Sequence, residues 1–161
     1  MTVDSFEKRD LKRRGFEGFL SIGKLRENRL GQVPKSRGVY VVLREKKSRP
    51  TFLKKSPAGH FKGSNPTVEV SKLRDKWIEE AHTIYLGKAS NLRTRIGQLL
   101  SFGAGKRAAH KGGRYLWQIK NSSEFKIAWK ITIGGEGALE EKLKQEFKGH
   151  HNGRLPFANL I

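Results

Sequence analysis

The stretch Thr83-Ile84-Tyr85-Leu86-Gly87-Lys88-Ala89-Ser90-Asn91-Leu92-Arg93-Thr94-Arg95 decides how this chain folds. Thr83 to Gly87 reads as a strand ended by its glycine. Ser90 or Asn91 then offers a side-chain oxygen to the first free amides of a helix, and Leu92, Ile96, Leu99 and Leu100 recur along one face of it to about Leu100. A strand that feeds a capped helix in this way buries one side of each element, so the flanking sequence has to supply the remaining layers.

Upstream, Val39 to Arg44 is a second strand rich in β-branched residues, entered through the turn Val33-Pro34-Lys35-Ser36-Arg37-Gly38. Phe16, Phe19, Ile22 and Leu25 recur at helical spacing through Leu30 and predict a short helix, preceded by a charge-dense arm from Ser5 to Arg14. Between the two strands lies an excursion. Glu45 to Pro66 is broken by Lys, Ser, Pro and Gly, with Phe52, Leu53 and Phe61 as isolated apolar residues, and Ser71 to Glu80 follows as a helix that Ser71 can cap.

Downstream, Phe102 to Gly113 is a glycine-punctuated basic loop, and Tyr115 to Ile119 is predicted as a strand. Phe125 to Ile133 alternates strictly, with Phe125, Ile127, Trp129, Ile131 and Ile133 on one side, which is the pattern of a half-buried antiparallel strand. A last helix runs from about Ala138 to Lys148 on Leu139, Leu143 and Phe147, before a tail from His150 to Ile161. The order argues an α/β or α+β domain around a short, largely antiparallel sheet, with residues 1–33 as a basic arm and short helix, residues 34–161 as the main domain, and residues 45–80 as an insertion in it.

With 161 residues, one compact domain accommodates the chain. Only 35% of residues are apolar, but Trp77, Trp117, Trp129 and nine Phe are core material that a disordered basic tail lacks. Lys and Arg number 34 against 15 Asp and Glu, a formal charge of +19, and such a charge calls for a polyanion. The absence of cysteine excludes disulfides, thiol nucleophiles and cysteine-built zinc sites. Met1 to Arg14 has no apolar h-region and no window approaches a membrane span, so the expected location is the cytoplasm, in association with the nucleoid.

Several side chains carry candidate chemistry. Glu136, Glu140 and Glu146 all fall near the packed face of the last helix, so helical geometry alone does not choose among them, while Glu141 points to solvent. Arg93 and Arg95 flank the apolar stripe of their helix equally. Tyr40 and Tyr85, taken alone, read as ordinary half-buried strand residues, as most strand tyrosines are. The histidines His82, His110, His150 and His151 form no metal-ligand spacing and read as surface.

The tripeptides Gly38-Val39-Tyr40 and Tyr85-Leu86-Gly87, the latter continuing to Arg95, resemble the GIY-YIG nuclease superfamily, whose name describes them. That resemblance covers nearly the whole chain from Pro34 onward and implies a central three-stranded antiparallel sheet flanked by helices. The family places an arginine ten positions after the second motif's tyrosine, a glutamate on a later helix and an asparagine near the end, which here fall on Arg95, Glu140 and Asn159. It implies a DNA endonuclease dependent on Mg2+ or Mn2+. Water would be the nucleophile, Tyr40 the general base, Tyr85 a support for the water or the phosphate, Arg95 the phosphate clamp, Glu140 the metal ligand, and Asn159 a residue that orders the site.

A phenol is a poor base at neutral pH unless cations lower its pKa, a task for Lys88, Arg95 and a bound ion. Lys88, Arg93, Lys106, Arg107, Lys111 and Arg114, with Lys54, Lys55 and Lys62, are the expected contacts to backbone phosphates of double-stranded DNA, with RNA as the other polyanion. The chain departs from the family in the excursion between its tyrosine motifs and in Leu99, where relatives often carry His or Tyr. Two rival readings share the charge: a protein that keeps the fold and binds DNA or RNA without cleaving it, and an RNA-associated basic protein with evenly spread cations. Oligomeric state is left open, a homodimer being one outcome.

Overall fold

A computed structural model describes residues 6–107 and 111–160, apart from the side chains of Phe61 and Lys111. Its centre is a four-stranded antiparallel sheet in the order β1-β4-β2-β3, formed by β1 (Glu17–Ser21), β2 (Gly38–Leu43), β3 (Thr83–Ala89) and β4 (Lys126–Ile131). Five helices surround it: α1 (Lys8–Arg13), α2 (Ile22–Glu27), α3 (Val70–Lys76), α4 (Leu92–Gly103) and α5 (Glu136–His150).

The three-stranded sheet implied by the family resemblance is therefore corrected. The fourth strand comes from the segment expected to be helical, Phe16 to Leu30. β1 pairs with β4 but loses register between Gly18 and Leu20, where Phe19 takes a positive φ of 52°. This bulge breaks the two-residue alternation that announces a strand. Because α2 begins at once at Ile22, the apolar residues on either side fall at a spacing that mimics a helix.

β2 and β3 form as expected, and β2 is buried along its whole length because both faces of the sheet are covered. On one face, α2 and α4 pack Leu25, Leu92, Ile96 and Leu99 against Tyr40, Val42, Tyr85, Ile127 and Trp129. The other face packs Phe6 from the segment before α1, Leu11 from α1, and Leu143 and Phe147 from α5 against Val39, Val41, Leu86 and Ala128.

The expected strand at Tyr115 to Ile119 is instead a 3-10 segment, Lys111–Gln118, with a single bridge between Ile119 and Phe52. Its buried Gln118 ties down the 45–80 excursion. The amide Nε2 donates to the Leu53 carbonyl at 2.8 Å and the Val68 carbonyl at 2.7 Å, while Oε1 accepts from the Val68 N–H at 2.8 Å. Phe52, tilted, and Trp77, edge-on, then pack against the ring of Phe157 in the tail. α3 begins at Val70 with no side-chain cap, so Ser71 does not play its expected part, and the chain turns extended at Trp77.

Candidate active site

β2 and β3 bring the two tyrosines onto one face. Tyr40 pairs with Gly87 and Val42 with Tyr85, so the tyrosines are diagonal neighbours across the ladder, with ring centroids 6.1 Å apart. The Tyr40 ring lies directly over Gly87, where a Cβ would sit 2.4 Å from its Cζ. Gly38 has the same kind of constraint, a Cβ there meeting the Lys130 carbonyl oxygen at 2.2 Å. The glycines of both tripeptides are thus required by close approach.

The phenols share a side-chain hydrogen bond and lie within electrostatic reach of both Arg95 and Glu140. Four elements thereby contribute to one cluster: Tyr40 from β2, Tyr85 from β3, Arg95 from α4 and Glu140 from α5. Burial dominates their titration. It pushes the Tyr40 phenol well above its ordinary value, with further upward pressure from Tyr85 and Glu140, and the opposing pull of Arg95 does not offset it. Tyr85 is raised as well, chiefly by burial, against the pull of Arg95. The expected cationic lowering of the base is therefore present in direction and outweighed in size. Tyr40 retains 1% of its surface in solvent and Tyr85 8%, so Tyr85 is the more accessible phenol.

Arg95 donates from Nη1 to Gln98 Oε1 at 2.9 Å. It also lines a cavity of about 530 Å3 with Lys88, Ser90, Thr94, Gln98 and Glu136. Asn91 caps α4 by accepting from the Thr94 N–H at 3.1 Å, which fixes the helix that aims Arg95. Glu140 pairs with Lys144 one turn along α5, Nζ to Oε1 at 3.3 Å, both side chains 13% exposed. Its two rivals are held by arginines. Glu136 bonds Arg37 at 3.1 Å and is drawn below the usual carboxylate range by a backbone hydrogen bond and by Arg37, while Glu146 bonds Arg14 at 2.6 Å. Glu141 is exposed and accepts only from Gln145 among the described contacts.

Asn159 sits behind the site. Its Oδ1 accepts from the Leu86 N–H at 2.8 Å and its Nδ2 donates to the Leu86 carbonyl at 2.9 Å, sealing the open edge of β3 between Tyr85 and Gly87. Leu99 is wholly buried, in the same core cluster as Tyr40 and Tyr85, so an apolar side chain packs on this face where relatives often carry His or Tyr.

The expected phosphate contacts divide. Lys88, Lys106 and Arg107 are exposed, as are Lys54, Lys55 and Lys62. Arg93 is committed to the protein instead, donating to the Val33 carbonyl at 2.8 Å and the Gly31 carbonyl at 3.1 Å. Arg114 lies 5.5 Å over the Tyr115 ring, close in sequence to Gly112, whose Cβ position is 3.8 Å from the Tyr85 hydroxyl. His110 and the side chain of Lys111 lie outside the described residues.

Gln98 and Lys144 were not anticipated as members of the cluster. Their spacing was readable, since helix positions three and four apart meet, as Arg95 and Gln98 do, and Glu140 and Lys144.

Among the described residues no group of three or more His, Asp or Glu side chains is arranged to hold a metal. A hard divalent ion carried on phosphate oxygens needs only one or two protein carboxylates, and Glu140 fits that demand if Lys144 yields its place. No helix among the described residues is long and apolar enough to cross a membrane. The chain matches none of the protein-family models, curated proteins or solved structures with which it was compared.

Proposed function

We propose that this protein is a cytoplasmic endonuclease that hydrolyses phosphodiester bonds in double-stranded DNA with the help of a divalent cation. The observation that carries the reading is the meeting of Tyr40, Tyr85, Arg95 and Glu140, drawn from four separate elements, beside a cavity lined by Lys88 and Arg95. A scattered basic surface does not require an arginine, a carboxylate and two phenols in one place.

Hydrolysis needs an acceptor for a proton of the attacking water and positive charge on the phosphoryl oxygens in the transition state. Arg95 supplies a planar fork for two of those oxygens. The hydrogen-bonded Tyr40 and Tyr85 act as one unit: Tyr85, nearer solvent, orients the water, and the pair accepts its proton when ionised. Glu140 would hold Mg2+ or Mn2+, which supplies charge stabilisation on the phosphate. Lys88, Lys106, Arg107 and Arg114 hold the neighbouring backbone.

Two observations favour the second reading, a nucleic-acid-binding protein without catalysis. Tyr40 is buried with a raised pKa, and the Glu140 carboxylate is already engaged by Lys144. Cleavage assays on duplex, nicked and branched DNA with Mg2+ and with Mn2+ separate the two, Arg95→Ala serving as the loss-of-clamp control. Cleavage lost in the variant supports the nuclease. DNA binding by a wild-type protein inert on every substrate supports the binding module.

A further inference from the structure

Ile131 and Ile133 are the large apolar side chains that stand exposed among the described residues, Ile131 at 46% and Ile133 fully. They are two residues apart, Ile131 ending β4 and Ile133 lying in the bend that follows it. In β4, Trp129 faces Tyr40 and Ile131 faces Gly38, so Ile131 continues the apolar stripe of the tyrosine-bearing face past the end of the core. Ile133 follows in the bend, just before Gly134 and Gly135, whose φ values of +111° and +73° turn the chain into α5.

This run is anchored beside the candidate site. The Thr132 N–H donates to the Arg37 carbonyl at 2.9 Å and the Thr132 hydroxyl to Glu136 at 3.4 Å, while Glu136 and Gly137 line the cavity that holds Lys88 and Arg95. Arg37 stands opposite, 59% exposed. Single exposed apolar residues are ordinary on a protein surface, but a pair at the end of one buried stripe, next to a cationic cavity on a chain of charge +19, has a chemically specified neighbour. The cations select a polyanion. Apolar side chains among them gain nothing from phosphate, so they must meet the uncharged part of that partner, its bases and sugars.

We propose that Ile131 and Ile133 form an apolar wedge against the bases of bound DNA, entering the groove beside the scissile phosphate and unstacking a base step there. The inference rests on the DNA-binding reading above and adds a contact that phosphate binding does not require. Proteins that insert isoleucine, leucine or similar side chains between base steps deform the duplex at the insertion point. The glycine pair that follows Ile133 gives the segment the freedom to adjust as it enters.

The test uses the full chain and duplexes carrying 2-aminopurine at successive positions, whose fluorescence rises when a base is unstacked. Wild type is compared with Ile131→Ser/Ile133→Ser and with Ile133→Leu, and the melting temperature of each is measured. The wedge predicts a fluorescence rise at one or two adjacent positions, its loss in the double serine variant with roughly tenfold weaker binding, an unchanged salt slope because phosphate contacts are untouched, and a rise and affinity in Ile133→Leu equal to those of wild type. Salt-dependent binding that is equally strong in wild type and the serine variant, with no fluorescence rise, overturns the wedge and leaves the DNA-binding reading standing. No binding by wild type overturns both. A wild-type dimer without DNA that the serine variant dissociates would show a second copy as the occupant, and would likewise overturn the wedge.

Discussion

At Glu140 a single exchange of oxygen for an amide nitrogen separates a metal ligand from an ordinary helix carboxylate. Glu140→Gln keeps the size of the side chain and removes the charge that pairs with Lys144 and would hold a cation. Cleavage should fall by about 100-fold or more, as losses of transition-state electrostatics do, with binding in EDTA unchanged or tighter. Glu141→Gln, one position on and exposed, should cleave as wild type does in the same gel assay. Tyr40 adds a pH test. Its phenol, raised by burial, is almost wholly protonated at neutral pH, so the ionised fraction of the pair and the cleavage rate should climb roughly tenfold per pH unit from pH 7 to 9. A plateau near neutrality, in a single-turnover pH profile, would remove the tyrosine pair as the base. The same shift has a stability consequence. A phenol whose folded pKa is raised leaves stability intact below its unfolded value of 10.0, and stability is lost as pH rises beyond it. Thermal melts should be insensitive to the pair below that pH and fall above it, less so in Tyr40→Phe.

Among the elements, β3 is an edge strand whose open side is closed by the tail. Asn159→Ala removes both hydrogen bonds to Leu86 and leaves that residue's buried N–H and carbonyl without their partner. A loss of about 2–4 kcal/mol in urea unfolding is expected, with kcat falling more than KM rises because β3 carries Tyr85. The elements also show what the sequence could and could not tell. β2, β3 and α4 were legible because glycine, a capping asparagine and a regular apolar stripe act locally. β1 was not, since its bulge at Phe19 erases the alternation, and the pairing that makes it a strand lies over a hundred residues away in β4. The 3-10 segment at Lys111–Gln118 resembled a strand for the converse reason: the polar group that shapes it, Gln118, is satisfied by backbone from the distant excursion. In the site, the residue types were readable but periodicity did not choose between Arg93 and Arg95 or among Glu136, Glu140 and Glu146, and the burial that raises both phenols and the commitment of Arg93 to the Gly31 and Val33 carbonyls are properties of packing.

For the whole molecule, a charge of +19 and exposed cations at Lys88, Lys106 and Arg107 predict duplex binding whose log affinity falls with log salt at a slope of several units. Filter binding at graded salt reads that slope, and a flat dependence would contradict the electrostatic part of the account. Lys88→Ala/Arg107→Ala should weaken binding to all sequences about equally, since phosphate contacts carry no base code. Whether the protein is a nuclease is decided by cleavage of a set of duplex, nicked and branched DNAs by wild type, Glu140→Gln and Glu141→Gln in Mg2+ and in Mn2+. Wild type and Glu141→Gln should cleave, and Glu140→Gln should lose cleavage with DNA binding intact. A wild-type protein inert on every substrate, or a Glu141→Gln variant as impaired as Glu140→Gln, would contradict the nuclease reading.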